Sequence, residues 1–317
     1  MNNDLFFPGQ IGFYTGKVRD IYDVDKVLVA ITSNRISAFD RILSFSPACK
    51  GASLNLTAVH FFKATADIVP NCLLEVPHPR VAIWRKTRPF KFELIVRAYN
   101  TGSFDRDFSS KGIGNPWGYK LPILKSNEKF PELLVTPTTK AEQGEHDLPI
   151  TKEEIMEKEL ASVPECEYIY DTTLHLFRRG QEMAKERGLI LVDTKFEFGK
   201  DEDENIYLID EVFTLDSSRY WYLDDYERTF AKGEDPKQLS KEFVRQYLLE
   251  HGFKGDAGDI EPEYAEDFIR ETNERYIQGY EELTGNKVTE EIKLQWSNDE
   301  NLKENTIDAL LALGAIE

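Results

Sequence analysis

A chain of 317 residues, 41% hydrophobic and 12% aromatic, has material for two domains and an ample core. It shows no apolar run of membrane-spanning length, and its first twelve residues lack the basic start and long apolar core of a secretory signal. Net charge is −18, with 13 Lys+Arg against 8 Asp+Glu in residues 1–100 and 26 against 49 thereafter; the acidic majority argues against nucleic acid, and the basic N-terminal third suits a small, multiply anionic ligand, with a chance fluctuation of surface charge as the plainer alternative.

In chain order, Gly9, Gly12 and Gly16 precede Lys17-Val18-Arg19 without the spacing of a Walker A loop or of GxGxxG. Val18, Ile21 and Tyr22 lead through Asp23-Val24-Asp25 to Val27–Ile31, a hairpin pattern. A glycine turn edged by Lys and Arg can lie over a triphosphate, although such a turn alone is more often only a turn. The polar run from Ile31 to Asp40, with Arg35, Asp40, Arg41 and then Lys50, reads as a site loop. A helix is expected from Ser53, and short strands at Leu73–Val76, Val81–Trp84 and Phe92–Val96. The last runs into Arg97 and then Thr101-Gly102-Ser103, a guanidinium and a hydroxyl suited to one phosphate. Residues 109–150, rich in Gly and Pro, read as a long irregular region, with 138–149 able to close over a site or to lie solvated. Thr151 and Glu154 form a capping box for a helix to about Leu160. A second helix, Glu167–Arg187, ends at Gly188. Helices are expected again at Ser240–Glu250, Pro262–Leu283 and Glu304–Leu313. Cys49, Cys72 and Cys166 are too few and too scattered for a disulfide framework, so a reducing, cytoplasmic compartment is expected.

Chemistry concentrates between residues 188 and 221. Asp193, Lys195 and Glu197 alternate with Thr194, Phe196 and Phe198, a strand with one charged and one apolar face. Ile206–Ile209 reads as its returning partner. With Glu202–Asn205 as a four-residue loop, Glu197 falls opposite Asp210, and two facing carboxylates call for a cation. A one-residue slip would separate them. Asp216-Ser217-Ser218-Arg219 follows, suited to anionic oxygens. A solvated acidic hairpin is the plainer alternative.

Several of these runs, in this order, resemble the phosphoribosylaminoimidazole-succinocarboxamide synthase (SAICAR synthetase) family of purine biosynthesis, in its longer form. They are GKVRDIYDV (16–24), ITSNRISAFDRIL (31–43), LIVRAYNTGS (94–103), TKAEQGEHDLPI (139–150), LILVDTKFEFG (189–199) and LIDEVFTLDSSRYW (208–221). Asn34 stands where the family pattern has Asp, Pro47 lies one place early, and Leu215 replaces a usual Pro.

The resemblance implies an α+β, two-lobed fold related to ATP-grasp. An antiparallel-sheet lobe (residues 1–92) would bind ATP, and a larger α+β lobe with C-terminal helices (93–317) would bind substrate and metal. It implies a Mg²⁺-dependent ligase that condenses a carboxylated aminoimidazole ribonucleotide with L-aspartate using ATP, through an acyl phosphate. Gly16, Lys17, Val18, Arg19 and Glu93 would hold ATP. Arg35, Asp40, Lys50, Arg97, Ser103, Ser217, Ser218 and Arg219 would hold substrate. Glu197 and Asp210 would hold Mg²⁺, and Lys195, Arg219 and Asp210 would act in catalysis. Partners would be small molecules, with neither nucleic acid nor membrane, in a monomer or homodimer. A small-polyanion kinase of related fold and a non-catalytic nucleotide-binding protein remain the alternatives.

Overall fold

The computed structural model describes residues 5–39, 41–112, 114–140, 147–256 and 258–317. It is an α+β protein of two compact units that do not follow chain order. One unit comprises residues 1–63, 72–86 and 240–317, the other 64–71 and 87–239. The division expected at residue 92 follows chain order. The contacts instead group the C-terminal helices with the N-terminal strands.

The first unit is built on a five-stranded antiparallel sheet in the order Gly12–Thr15, Arg19–Val24, Val27–Thr32, Val81–Arg85, Leu73–His78. Alternation in Arg19–Val24 buries Asp20, Tyr22 and Val24 on one face. Tyr22 and Val24 join Phe7, Val29, Val81 and Ile83 in a core completed by Leu302 and Leu310 from the last helix, Leu302–Ala312. Leu302, Thr306 and Leu310 recur at four-residue spacing and are buried, so this helix lays one stripe on the core. Each such leucine contributes about 1.5–3 kcal/mol of burial. An additional short helix, Glu290–Trp296, which the charged sequence concealed, sets Trp296 against Cys49, Ala52 and Ile277. The tail is therefore part of this unit's core.

The second unit holds a sheet in the order Lys129–Thr139, Phe92–Tyr99, Leu189–Lys200, Ser218–Tyr222, Gln238–Leu239, with Ile206–Ile209 and Arg88–Pro89 pairing the far part of Leu189–Lys200. Lys129–Thr139 lies in the region expected to be irregular. Pro131 and Pro137 disguise it, and both are tolerated because the strand is an edge and its pairing shifts between Lys129 and Leu134. The helix expected at Glu167–Arg187 spans Val163–Glu186, because Ser162 and Glu165 form a capping box one turn earlier. At Gly180 a Cβ would stand 2.5 Å from the Phe213 ring, so only glycine lets that ring pack on the helix. Among the described residues, no helix is long and apolar enough to cross a membrane.

Candidate active site

Leu189–Lys200 is the central strand of the second unit, and its alternation sets out the site. Asp193 pairs with Arg97 on one neighbouring strand and with Arg219 on the other. Arg219 Nη1 donates to Asp193 Oδ2 at 2.5 Å, and Arg97 Nη1 lies 3.8 Å from the same oxygen. Arg97 also donates from Nε to Thr136 Oγ1 at 3.0 Å and from Nη2 to Ser103 Oγ at 3.3 Å. Its burial pushes the guanidinium pKa down to about 10, with Asp193 opposing the shift and Arg219 adding to it. One carboxylate thus organises two guanidiniums, leaving a local excess of positive charge. Gly102, at φ 63°, abuts this group: a Cβ there would stand 2.6 Å from Arg219 Nη1 and 2.8 Å from Nη2.

Two residues further along the same face, Lys195 Nζ donates to Glu93 Oε2 at 2.9 Å and to Glu197 Oε1, and lies 4.0 Å from Asp210 Oδ2. Lys140 Nζ donates to the other Glu197 oxygen, and Thr138 Oγ1 to Glu93 Oε1 at 3.1 Å. Burial alone would lower the Lys195 pKa. Glu197, Glu93 and Asp210 outweigh it and hold the ammonium well above its ordinary value. Burial alone would likewise raise Glu197, yet Lys195 and Lys140 bring it to about 2, so the group is ionised at neutral pH. Glu93 is raised by burial and by Glu197, against the pull of Lys195.

The expected pairing of Glu197 with Asp210 does not form. The loop is 201–205, one residue longer than expected, and Glu197 pairs with Ile209. A continued strand would turn Asp210 to the opposite face. Instead Asp210 adopts φ 65°, leaving the strand, and its carboxylate comes within 4.0 Å of Lys195. This left-handed bend accomplishes what register was expected to do.

The segment after Asp210 is pinned by hydroxyls. Thr214 Oγ1 donates to Glu211 Oε2 at 2.5 Å and lies 3.2 Å from Ser217 Oγ. Ser217 and Ser218 hydroxyls are 3.4 Å apart, and Ser218 Oγ is 2.7 Å from Thr194 Oγ1. Tyr220 OH donates to Phe213 O at 2.8 Å. The Asp210–Arg219 segment keeps its shape without the proline that Leu215 replaces.

The donor chemistry fits a hard cation at Glu197 and Asp210: both are oxygen ligands and Glu197 is ionised. No group of three or more His, Cys, Asp and Glu fit to hold a metal occurs among the described residues.

In the first unit, the turn Gly16–Arg19 joins two paired strands, with Gly16 N donating to Arg19 O at 2.7 Å. Lys17 is exposed, whereas Arg19 is buried, its guanidinium 5.8 Å from the centre of the Trp84 ring. Arg35 faces inward, donating to Gly16 O, Lys17 O and both Asp20 oxygens. Lys50 is fully buried at the start of helix Lys50–Ala64, its ammonium 5.3 Å from the Tyr276 ring centre. Asn34 Oδ1 accepts from Gly51 N at 2.8 Å, capping that helix from a distance. This position uses an acceptor oxygen, which Asn supplies as Asp would. Asp40 and the stretch 141–146, the middle of the expected closing segment, lie outside the described residues; the ends of that segment meet through Thr139 N donating to Leu148 O at 2.8 Å.

Sequence reasoning gave no separate role to Asp193, Lys140, Thr136 or Gly102. For Asp193 the signal was present, since it shares the alternating face with Lys195 and Glu197.

The SAICAR synthetase family model matches residues 12–260. The chain is 49% identical over 290 residues to the phosphoribosylaminoimidazole-succinocarboxamide synthase of Bacteroides thetaiotaomicron, covering 91% of this chain and 92% of that protein. It is 47% identical over 311 residues to the synthase of Bacteroides fragilis, covering 98% of each. Among solved structures, a SAICAR synthase from Saccharomyces cerevisiae complexed with SAICAR shares the fold with a TM-score of 0.74 and 32% identity, over 87% of this chain and 95% of that one.

Proposed function

The chain belongs to the SAICAR synthetase family, and from that premise we propose how its residues divide the work of the family's ATP-dependent ligase reaction. The enzyme condenses carboxyaminoimidazole ribonucleotide with L-aspartate to give the succinocarboxamide of de novo purine biosynthesis. The γ-phosphoryl of ATP passes to the imidazole carboxylate, releasing ADP. The aspartate amine then attacks the acyl phosphate carbonyl, loses a proton and expels phosphate, leaving an amide.

Positioning and charge do this work, with no protein nucleophile. Arg97, Arg219 and Ser103 hold the phosphate and carboxylate oxygens of the imidazole nucleotide, with Ser217 and Ser218 at the edge of that group. The Gly16–Arg19 turn and Lys17 hold ATP phosphates. Glu197 and Asp210 would hold Mg²⁺, which when bound supplies positive charge to the transferring phosphoryl oxygens. Lys195 stays protonated and steadies the carboxylates around it. Glu93 keeps Lys195 in place and accepts from Thr138 at its other oxygen, and its role toward ATP rests on the family resemblance. Three buried, free cysteines support a reducing, cytoplasmic setting.

The observation that carries this reading is one strand face presenting Asp193, with its two guanidiniums, and Glu197, with its two ammoniums, four residues apart. Coupled assays of ADP release test it. Release should require both the imidazole carboxylate and aspartate, with one amide formed per ADP. ADP release with aspartate omitted and no amide formed would point to a kinase, and nucleotide binding without release to a sensor.

A further inference from the structure

The residues Ser33–Arg35 show a second level of organisation behind the glycine turn. Arg35 donates from Nη2 to Gly16 O at 3.0 Å and from Nε to Lys17 O at 3.3 Å. It grips Asp20 with both terminal nitrogens, at 3.1 Å and 2.8 Å. The next carbonyl of the turn, Val18 O, accepts from Ser33 N and from Ser33 Oγ, each at 2.8 Å. Ser33 Oγ in turn accepts from Arg35 N at 3.3 Å. Three successive carbonyls, Gly16 to Val18, are therefore drawn to one side by one short segment.

Peptide planarity fixes the consequence. In a trans peptide the N–H points opposite to the C=O, so the amides of Lys17 and Val18 face away from Arg35. Successive amides facing one way form an anion-binding concavity. A lysine could not do this holding. Its ammonium is a point charge, whereas the planar guanidinium reaches a carboxylate and two carbonyls together.

We propose that Arg35, backed by Ser33 and Asp20, is a positioning residue for the nucleoside triphosphate: it holds the carbonyls of the Gly16–Val18 turn on one side so that the amides face the phosphates, and it touches no substrate itself. This rests on the reading that the turn holds ATP phosphates.

The test separates the two. Arg35→Ala, Asp20→Asn, their double variant and Lys17→Ala are assayed for KM of each substrate and, without turnover, for ADP binding by calorimetry. Arg35→Ala and Asp20→Asn should each raise the KM for ATP and weaken ADP binding tenfold or more. The double variant should be little worse than either, and the KM values for the imidazole nucleotide and aspartate should hold. A rise in either of those with ATP affinity intact overturns the inference, because Arg35 then contacts that substrate. If Lys17→Ala weakens nucleotide binding while Arg35→Ala does not, the turn keeps its function and the inference alone falls. If neither does, the reading of the turn falls with it. Should Arg35→Ala fail to fold, Arg35→Lys and Ser33→Ala carry the same readouts. Each should show a smaller rise confined to ATP, and no such rise in either overturns the proposal.

Discussion

The two charged groups on the central strand differ in sign although they share a face. Around Asp193 one carboxylate serves two guanidiniums. Around Lys195 and Lys140, three carboxylates, Glu93, Glu197 and Asp210, surround two ammoniums. Asp193 and Lys195 are two residues apart, roughly 7 Å along an extended strand. A local positive excess therefore lies beside a local negative one at the spacing of a small bound molecule. The first group suits an anion. The second suits a cation and the oxygens it would carry. The residue types follow the same division: planar guanidiniums where two oxygens are recognised together, compact ammoniums where a carboxylate only needs its charge balanced.

The largest expected effect breaks the negative group. Asp210→Asn would remove one of the two carboxylates proposed to hold Mg²⁺, and a cation there would supply several kcal/mol of charge stabilisation, so on that proposal kcat should fall by roughly a hundredfold or more. The thermal midpoint should stay near that of the parent, and chelation of divalent cations should silence the parent to a similar degree. Near-normal turnover of the variant at ordinary Mg²⁺ removes Asp210 from the metal site.

Next comes the positive group. Arg219→Lys keeps the charge and loses the fork, and a charge-assisted contact is worth about 1.5–3 kcal/mol, so affinity for the imidazole nucleotide should fall about ten- to a hundred-and-fiftyfold. The KM for ATP should hold. The reverse pattern would mean that the two groups have been assigned to the wrong substrates.

Gly102→Ala probes the same group without touching a charge. Its methyl would press on the Arg219 guanidinium, and the position has φ 63°, which costs a side chain about 1 kcal/mol. Affinity for the imidazole nucleotide should drop by roughly tenfold, with that for ATP unchanged. Equal losses for both substrates would indicate general loosening of the sheet.

The smallest effect lies at the far end of the same strand, where Lys200 pairs with Glu165 at 2.6 Å. The Lys200 and Ser162 hydrogen bonds bring the Glu165 pKa to about 2, below its ordinary 4.5. A carboxylate lowered on folding stabilises above its unfolded pKa and loses that contribution as pH falls through 4.5 toward 2. Glu165→Gln should cost about 1 kcal/mol at pH 7 in urea unfolding, and the gap to the parent should narrow at pH 3. Turnover at pH 7 should be unaffected, in contrast to the other three substitutions.

The sequence by itself determined most helices and strands and, through the family resemblance, the family, the α+β class and most residues of the charged groups, Arg97 and Arg219 in one and Glu93, Lys195, Glu197 and Asp210 in the other, but not the parts of Asp193 and Lys140. Short-range chemistry places the elements: alternation of Asp193, Lys195 and Glu197, a capping box at Thr151, a glycine stop at Gly188. Tertiary structure alone decided the rest, because each remaining feature depends on partners distant in sequence. Strand Lys129–Thr139 exists despite two prolines because it is an edge, and edge position belongs to the sheet. The charged tail becomes core because Leu302, Leu310 and Trp296 meet apolar partners contributed by the first sixty-odd residues and by strand Val81–Arg85. Asp210 reaches Lys195 through a backbone bend rather than through register. Arg35 has the composition of a ligand residue, yet its guanidinium is directed inward by three carbonyl and carboxylate groups that only folding assembles. A side chain's type is written locally, but what it faces is set by the chain that packs around it.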